Sequence, residues 1–434
     1  MLANAAIDFS NSVLTLPVFA SSSERPRRPS YKMLLTYNEN NVQYYRRMKA
    51  NPGGTIGLTE IVGRDILVQR LWRILEGQSL VLTSERRIGK TCVIRKMKEE
   101  RPDPNIVCVL RDIEELRSPQ EFVEALYADV EALLPTADRA RLKFQQLLSK
   151  LGGFEVHDLK IPQLTPHWKN LLFALTQDLF DSPERRVVFF WDELPYFIHE
   201  VSKSSGEATA MEMLDALRSL RQRHSRLRMV FTGSVGLHLV VKALRRGNYV
   251  NDPTNDMQIR EVWPLDEPDG ISLARQLIEG EGIELSASVA LARAVSEAAG
   301  HIPYYIHCLV ARMTDSKVPV TESSVVEHLN SLICDLNDPA RFRHYRERLD
   351  VYYSPEEKAI ALAALDALAF AGEPKTFDDL LNLIRHELPE ATLESVRDTL
   401  SLLAKDHYIS RPAGARGYGF RYAIVRQWWM SERG

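Results

Sequence analysis

Short apolar runs alternate with longer amphipathic stretches between residues 79 and 263, and this alternation restricts the possible folds more than any other feature. Because consecutive positions of each run are apolar, both faces of the corresponding strands must be buried. That is typical of a parallel sheet covered by helices on both sides. We therefore predict an α/β fold. The predicted strands are 79–83, 105–110, 187–191, 228–232 and 259–263, and the predicted helices are 89–100, 118–134, 168–180 and 207–224.

The rest of the chain has a different pattern. Residues 267–348 are predicted to be almost entirely helical, and from residue 350 the sequence predicts three helices followed by a β-hairpin, the order typical of a winged helix-turn-helix. The helices are expected from Ser354-Pro355 onward, at 376–387 and at 392–405, and the hairpin at 407–411 and 420–428. The predicted division is a flexible tail and lead-in (1–57), a core (58–265) with a polar excursion at 136–166, a helical lid (266–349) and a winged helix (350–434).

Composition excludes several classes of protein. With 434 residues and 45% hydrophobic residues, the chain is neither disordered nor a disulfide-dependent mini-protein. Its four cysteines are widely separated, which argues against a zinc site, and its net charge of −3 means that nucleic acid would need a local basic patch. No apolar stretch has the roughly 18 residues of a membrane span. The first residues also lack the basic start of a signal peptide, so we expect a cytoplasmic protein that makes no membrane contact.

The segment SERRIGKT, residues 84–91, follows the first predicted strand and precedes a helix. In the pattern GxxxxGK[ST], backbone N–H groups surround phosphate oxygens, the lysine neutralises their charge and the hydroxyl coordinates Mg²⁺. Lys90 and Thr91 occupy the last two positions of this Walker A pattern. Ser84 replaces its first glycine, and we expect a cost because serine adopts a left-handed backbone less readily than glycine.

The apolar run VVFFW ends in Asp192 and Glu193. In a Walker B strand, the aspartate completes the Mg²⁺ shell and the following glutamate polarises the water that attacks the nucleotide. An acidic strand end is common by itself, but here it follows the GKT sequence by about 100 residues in an alternating α/β pattern. Together the two motifs predict a P-loop NTPase.

Five segments, in this order along the chain, resemble the archaeal-type P-loop ATPase family, which is related to the STAND, AAA+ and origin-recognition ATPases. The segments are IVGRD (61–65), RRIGKT (86–91), WDELPYF (191–197), MVFTGS (229–234) and GHIPYYI (300–306). The resemblance extends over residues 58–434. It implies an AAA+-like core, a helical lid and a C-terminal winged helix.

The resemblance also implies ATP and Mg²⁺ as cofactors and gives roles to individual residues. Thr232 or Ser234 would sense the γ-phosphate, and Pro303 would pack near the adenine. The predicted catalytic residues are Glu193, Asp192 and Lys90, and the predicted metal ligands are Thr91 and Asp192. The predicted nucleotide-binding residues are Val62, Gly63, Arg64, Ser84, Arg87, Ile88, Gly89, Lys90, Thr91, Cys92, Ser234 and Pro303.

Several of these residues have an alternative, purely structural interpretation. Ser234 is also suited to cap the next helix, residues 300–303 to form an inter-helix turn, and Arg64 to be a solvated surface charge. Arg86 and Arg87 are candidates to point outward to a partner. Arg245 and Arg246 are candidates for an arginine finger or for a basic helix end.

The predicted function is that of an ATP-dependent switch, with slow Mg²⁺-dependent hydrolysis, that controls a protein partner or self-assembly. The alternative is a DNA-binding loader or initiator that uses its winged helix. Residues 350–434 contain ten Lys/Arg and thirteen Asp/Glu, which favours the first interpretation, although Arg411, Arg416, Arg421 and Arg426 are suited to phosphate contact. A third hypothesis, motivated by Ser84, is a nucleotide-binding scaffold without hydrolysis. Trp428 and Trp429 are expected to be core aromatics.

Overall fold

The fold was analysed in a computed structural model of the chain. It describes the backbone of residues 34–38 and 41–45, and residues 48–133, 167–180, 186–283, 288–316, 318–412, 414 and 416–434. The predicted flexible tail at 1–32 and the predicted excursion at 136–166 lie outside the described residues. Within the predicted lead-in, β1 (Leu34–Asn38) and β2 (Asn41–Tyr45) pair as an antiparallel hairpin that the sequence analysis did not predict.

Five strands of the described residues form the central sheet in the order β4-β5-β6-β3-β7. They are parallel, as the apolar runs predicted. Alternate side chains of each strand face opposite helical layers, so that Leu80 and Leu82 pack on one face while Val81 packs on the other. The strands are β3 (Ser79–Thr83), β4 (Ile106–Asp112), β5 (Arg186–Asp192), β6 (Leu227–Phe231) and β7 (Met257–Glu261).

Seven helices of the described residues belong to this α/β region. They are α1 (Asp65–Leu75), α2 (Lys90–Glu99), α3 (Pro119–Leu133), α4 (Trp168–Phe180), α5 (Leu194–Ser205), α6 (Glu207–Arg223) and α7 (Leu237–Arg246). A short 3₁₀ turn, Leu58–Glu60, precedes α1, and another, Glu322–Ser324, precedes the helix that begins at Val325. Buried residues of α1 and α2 pack on the face of Leu80, and those of α3 to α6 on the face of Val81.

Within the described residues, five helices begin in the helical region, 266–349, and the last of them extends to Tyr352 in the C-terminal region, 350–434. The five helices are α8 (Glu267–Glu281), α9 (Ser288–Ala298), α10 (Pro303–Thr314), α11 (Val325–Ile333) and α12 (His344–Tyr352). The C-terminal region contains α13 (Pro355–Phe370), α14 (Phe377–Glu387), α15 (Leu393–Lys405), β8 (Ile409–Ser410), β9 (Gly419–Phe420) and α16 (Ala423–Arg433). Ser354 caps α13 through a reciprocal capping box with Glu357, as its sequence indicated.

The prediction of a second hairpin strand over 420–428 is wrong. Strand β9 ends at Phe420, and α16 begins three residues later. The reason is the spacing of the apolar residues, because Ile424, Val425, Trp428 and Trp429 fall on one helical face and are all buried. The prediction that the two tryptophans belong to the core is confirmed.

One hydrophobic cluster runs from the Leu80 face of the sheet through the helical region into the C-terminal region. Stacked rings mark its path: Tyr305 lies 4.9 Å from Phe342, which lies 6.0 Å from Trp428, centroid to centroid. Because the three regions share this core, a movement of one must be accommodated by the others. Among the described residues, no helix combines the length and the apolar character needed to cross a bilayer.

Residues 48–57 are packed against the helical region. The amide of Ala50 donates to Glu281 Oε1 (2.8 Å), and the amide of Asn51 donates to His307 Nδ1 (3.1 Å). At Gly280 the contact is closest, since a Cβ atom there would lie 1.7 Å from the carbonyl oxygen of Met48. We call residues 48–57 the strap.

We expect Gly280→Ala to lower thermal stability and weaken the attachment of the strap. Alanine is favoured over glycine in a helix by about 1 kcal/mol, but backbone atoms of the strap cannot move aside as a flexible side chain can. The measurement is thermal unfolding together with limited proteolysis near residue 50. Gly77→Ala is the matched control, because nothing lies within 4 Å of its added Cβ. Equal melting temperatures for the two variants would contradict the packing argument.

Candidate functional site

A cavity of about 910 Å³ lies at the carboxyl edge of the sheet. Its walls come from the loop after β3, the acidic end of β5, the strap, the start of α10 and residues 337–347. Most of the predicted site residues line it, namely Val62, Arg64, Arg87, Ile88, Gly89, Lys90, Thr91, Cys92, Asp192, Glu193, Ser234 and Pro303. Gly63 and Ser84 do not line it.

The phosphate loop, residues 84–91, takes its left-handed backbone at positions other than the one expected. Arg87 has φ 71° and Gly89 has φ 101°, whereas Ser84 is not among the described residues with positive φ. The expected cost of serine in place of the first glycine is therefore absent, because Ser84 is not required to be left-handed. Gly89 immediately precedes α2 and allows the loop to turn into that helix.

The Lys90 ammonium is buried and satisfied by the loop itself. Its Nζ donates to the carbonyl oxygens of Ser84 (3.0 Å) and Glu85 (3.1 Å), and to Ser84 Oγ (3.3 Å). Burial lowers the pKa of Lys90 to about 8, against the opposing effect of nearby carboxylates. A phosphate entering the cavity would offer this ammonium a charged partner in place of carbonyl oxygens.

Two threonine hydroxyls converge on the carboxylate of Asp192. Thr91 Oγ1 donates to Asp192 Oδ2 (2.5 Å), and Thr232 Oγ1 donates to Asp192 Oδ1. A hydroxyl and a carboxylate side by side are a suitable donor set for Mg²⁺, which usually takes only one or two protein ligands besides phosphate and water. The described residues contain no cluster of three or more His, Cys, Asp or Glu that could hold a metal ion.

Glu193 is held by Ser234. It precedes α5 in a left-handed conformation (φ 60°) and accepts hydrogen bonds from the Ser234 amide (2.8 and 3.0 Å) and hydroxyl (2.8 Å). Burial raises the pKa of Glu193, and the neighbouring Asp192 adds to that effect. Ser234 is not the cap of α7, because that position is Gly236, which makes no side-chain cap.

Arg64 is hydrogen-bonded to the phosphate loop. Its Nη1 donates to the carbonyl of Trp263 (2.8 Å) and its Nη2 to the carbonyl of Ile88 (2.9 Å). The side chain is buried, and burial lowers its pKa to about 10. The interpretation of Arg64 as a surface charge is therefore wrong, and one of its bonds goes to the phosphate loop.

The start of α10 and the strap form another part of the cavity wall. Pro303 begins α10 there after a turn in which Gly300 and His301 have positive φ, so this segment is both an inter-helix turn and a cavity wall. The strap closes the same end, with Asn51 and His307 among the lining residues. Burial lowers the pKa of His307 to about 4, which keeps the ring neutral and able to accept from the strap.

The arginines differ from expectation. Arg87 points inward, with its guanidinium 4.0 Å from the ring centroid of Tyr304, so the interpretation that it points outward to a partner is wrong. Arg246 pairs with Glu357 of the C-terminal region (2.7 Å), which favours a helix-end role. Arg341 and Arg343 line the cavity and were not predicted, because the sequence around them matches no phosphate-binding pattern.

A buried acid inside the phosphate loop was not predicted from the sequence. Glu85 is fully buried and accepts a hydrogen bond from Arg348 Nη2 (2.5 Å), while His344 Nε2 lies 3.6 Å from the same oxygen. Burial alone raises the pKa of Glu85, but Arg348 and His344 outweigh it and lower that pKa to about 2. The only sequence signal was an acidic residue at a variable position of the loop.

Comparison with solved structures finds a Walker-type ATPase of Pyrococcus abyssi, at 17% identity and a TM-score of 0.53, over 85% of this chain and 96% of that one. The chain shares the fold of this Walker-type ATPase. The ORC2 protein of Aeropyrum pernix in ADPNP–ADP complexes (11% identity, 85% and 94% covered, TM-score 0.49) and Cdc6p of Pyrobaculum aerophilum (13%, 85% and 94%, 0.33) also match. A scan against protein-family models found no match, and neither did a search of curated proteins.

The lowered pKa of Lys90 predicts proton uptake when a phosphate ligand binds. Near pH 8, Lys90 is neutral in a fraction of the molecules, and a bound phosphate raises the pKa of Lys90 back toward its ordinary value. The affinity for the phosphate ligand therefore falls as the pH rises through about 8. Titration calorimetry with ATP at pH 8.5, in two buffers of different ionisation enthalpy, measures the protons taken up. A buffer-independent enthalpy would contradict the prediction.

Proposed function

We propose that this chain binds ATP with Mg²⁺ and hydrolyses it slowly, as a switch that controls a protein partner or its own assembly. The observation that carries the proposal is the convergence of Lys90, Thr91, Asp192 and Glu193 at one end of a single large cavity. Each of these residues has the chemistry that its position in a Walker A or Walker B motif requires.

The proposed nucleotide orientation follows from the two ends of the cavity. The phosphates would lie against the loop N–H groups and Lys90, where the start of α2 also favours negative charge. The base would lie between Val62, Pro303 and the strap. Mg²⁺, held by Thr91 and Asp192, would neutralise phosphate charge.

Glu193 is the proposed proton acceptor. Its raised pKa brings it closer to the working pH, which improves a general base. The three hydrogen bonds from Ser234 hold the carboxylate in one orientation, so a water beside the terminal phosphate would meet a fixed acceptor. Thr232, bonded to Asp192, would respond to the terminal phosphate only through that aspartate.

Contact with DNA is less well supported. Of the four arginines considered for phosphate contact, Arg421 pairs with Glu261 of β7, and Arg426 donates to the carbonyls of Ala369 and Ala371. Arg411 lies over the ring of Tyr418. These guanidiniums are engaged within the chain, and the C-terminal region is acidic overall.

The test of ATP binding and turnover uses the full chain beside Lys90→Ala and Glu193→Gln. We expect Lys90→Ala to lose most ATP affinity, because a buried cation opposite the phosphates is removed. Glu193→Gln should bind ATP normally but lose about 100-fold or more in turnover, the usual contribution of a general base. The measurements are fluorescent-nucleotide binding and phosphate release.

Lys98→Ala is a matched control, because Lys98 lies on α2 but does not line the cavity. Unchanged binding by Lys90→Ala would refute the phosphate-loop assignment. Tight binding without turnover in the wild type would instead favour the scaffold hypothesis.

For DNA, we expect no duplex binding above the non-specific level at physiological salt, measured by fluorescence anisotropy over a salt series. Non-specific binding falls steeply with salt, so the series separates it from a specific contact. Salt-sensitive binding that Arg411→Ala and Arg416→Ala weaken, and Lys98→Ala does not, would favour the loader alternative.

A further inference from the structure

Three buried residues connect the phosphate loop to the C-terminal region. Arg348 of α12 donates through Nη2 to Glu85 Oε1 (2.5 Å) and through Nη1 to the backbone carbonyl of Asp406 (3.1 Å), which follows α15. Glu85, Arg348 and Asp406 are 0%, 7% and 2% exposed. One guanidinium therefore spans the loop and the C-terminal region in an environment that excludes water.

Asp406 also contacts the α/β region. Its Oδ1 lies 3.0 Å from His238 Nε2 on α7, and its Oδ2 accepts a hydrogen bond from the Tyr353 hydroxyl (2.7 Å). Helix α7 begins three residues after Ser234, which holds Glu193. The C-terminal region thus contacts both halves of the nucleotide site, the phosphate loop through Arg348 and the segment that holds Glu193 through His238.

Glu85 is hydrogen-bonded to Lys90, the residue that a phosphate ligand would bind. Its backbone carbonyl accepts from Lys90 Nζ (3.1 Å), and its side chain accepts from the Arg86 amide (2.7 Å). If Lys90 turns to a phosphate, that carbonyl loses a charged donor and the loop around Glu85 must adjust. Because an unpaired buried charge is strongly unfavourable, Arg348 must follow Glu85.

We infer that the contacts among Glu85, Arg348 and Asp406 transmit the occupancy of the phosphate loop to the C-terminal region, with Arg348 as a positioning residue for the loop. The inference rests on the proposed function, since it requires a phosphate ligand at Lys90. To that function it adds a chain of contacts through which nucleotide binding would alter the C-terminal region, where a partner or a second copy would bind.

The decisive variant is the double substitution Glu85→Gln with Arg348→Met. Removing one partner alone would leave a buried charge, whereas replacing both by neutral side chains of similar size is often tolerated. The matched control is Glu357→Gln with Lys242→Met. That pair (2.6 Å) also joins α7 to the C-terminal region but does not touch the phosphate loop.

The measurement is amide hydrogen exchange of residues 350–434 in the full chain, without nucleotide, with ADP, and with Mg²⁺ and a non-hydrolysable ATP analogue. Fluorescent-nucleotide affinity is measured for every variant in parallel. We expect nucleotide to change exchange around residues 393–410 in the wild type and in the control. The double variant should lose this change even at nucleotide concentrations that its own measured affinity shows to be saturating.

Arg348→Lys is the second variant, for the case in which the double variant does not fold. It keeps the charge, but one ammonium cannot reproduce the two directed bonds of the guanidinium, so the nucleotide-dependent change should shrink. A full change in Arg348→Lys or in the double variant would overturn the inference, as would normal binding by the wild type without any change. If the wild-type chain does not bind nucleotide at all, the proposed function itself is refuted.

Discussion

Parallel pairing of β3, β5 and β6 is the constraint on which the proposed nucleotide site depends. Because these strands run in the same direction, their carboxyl ends meet at one edge of the sheet. Thr91 and Asp192, 101 positions apart in sequence, are thereby brought within a hydrogen bond, and Thr232 reaches the same aspartate from 40 positions further on. The cavity, the phosphate loop and the two acids lie together at this edge because of this arrangement.

Burial at this edge acts on each ionisable group according to its partners. Lys90, surrounded by carbonyl oxygens, has a lowered pKa, and Glu193, beside Asp192, has a raised one. Glu85 is buried still more completely, yet its pKa is lowered because Arg348 faces it. The same desolvation therefore lowers the pKa of Lys90 and raises that of Glu193, whereas at Glu85 the facing guanidinium outweighs it.

The C-terminal region faces the α/β region with its polar groups. Asp406 is joined to the phosphate loop by Arg348 of α12. The pairs Lys242–Glu357 and Arg421–Glu261 cross the same interface, and the hydrophobic core continues through it. In these pairs the charges are balanced within the chain. They join the C-terminal region to α7 and β7.

The sequence by itself determined the strands, most helices and the phosphate loop, because these depend on local apolar spacing, caps and turn residues. It could not distinguish a strand from a helix over 420–428, where the apolar residues that decide the period also depend on what they pack against. Nor could it show that Ser84 avoids a left-handed backbone, that Arg87 turns inward, or that Glu85 pairs with Arg348, 263 positions away. Those are contacts between distant segments, and only the tertiary structure decides which charges share a buried site.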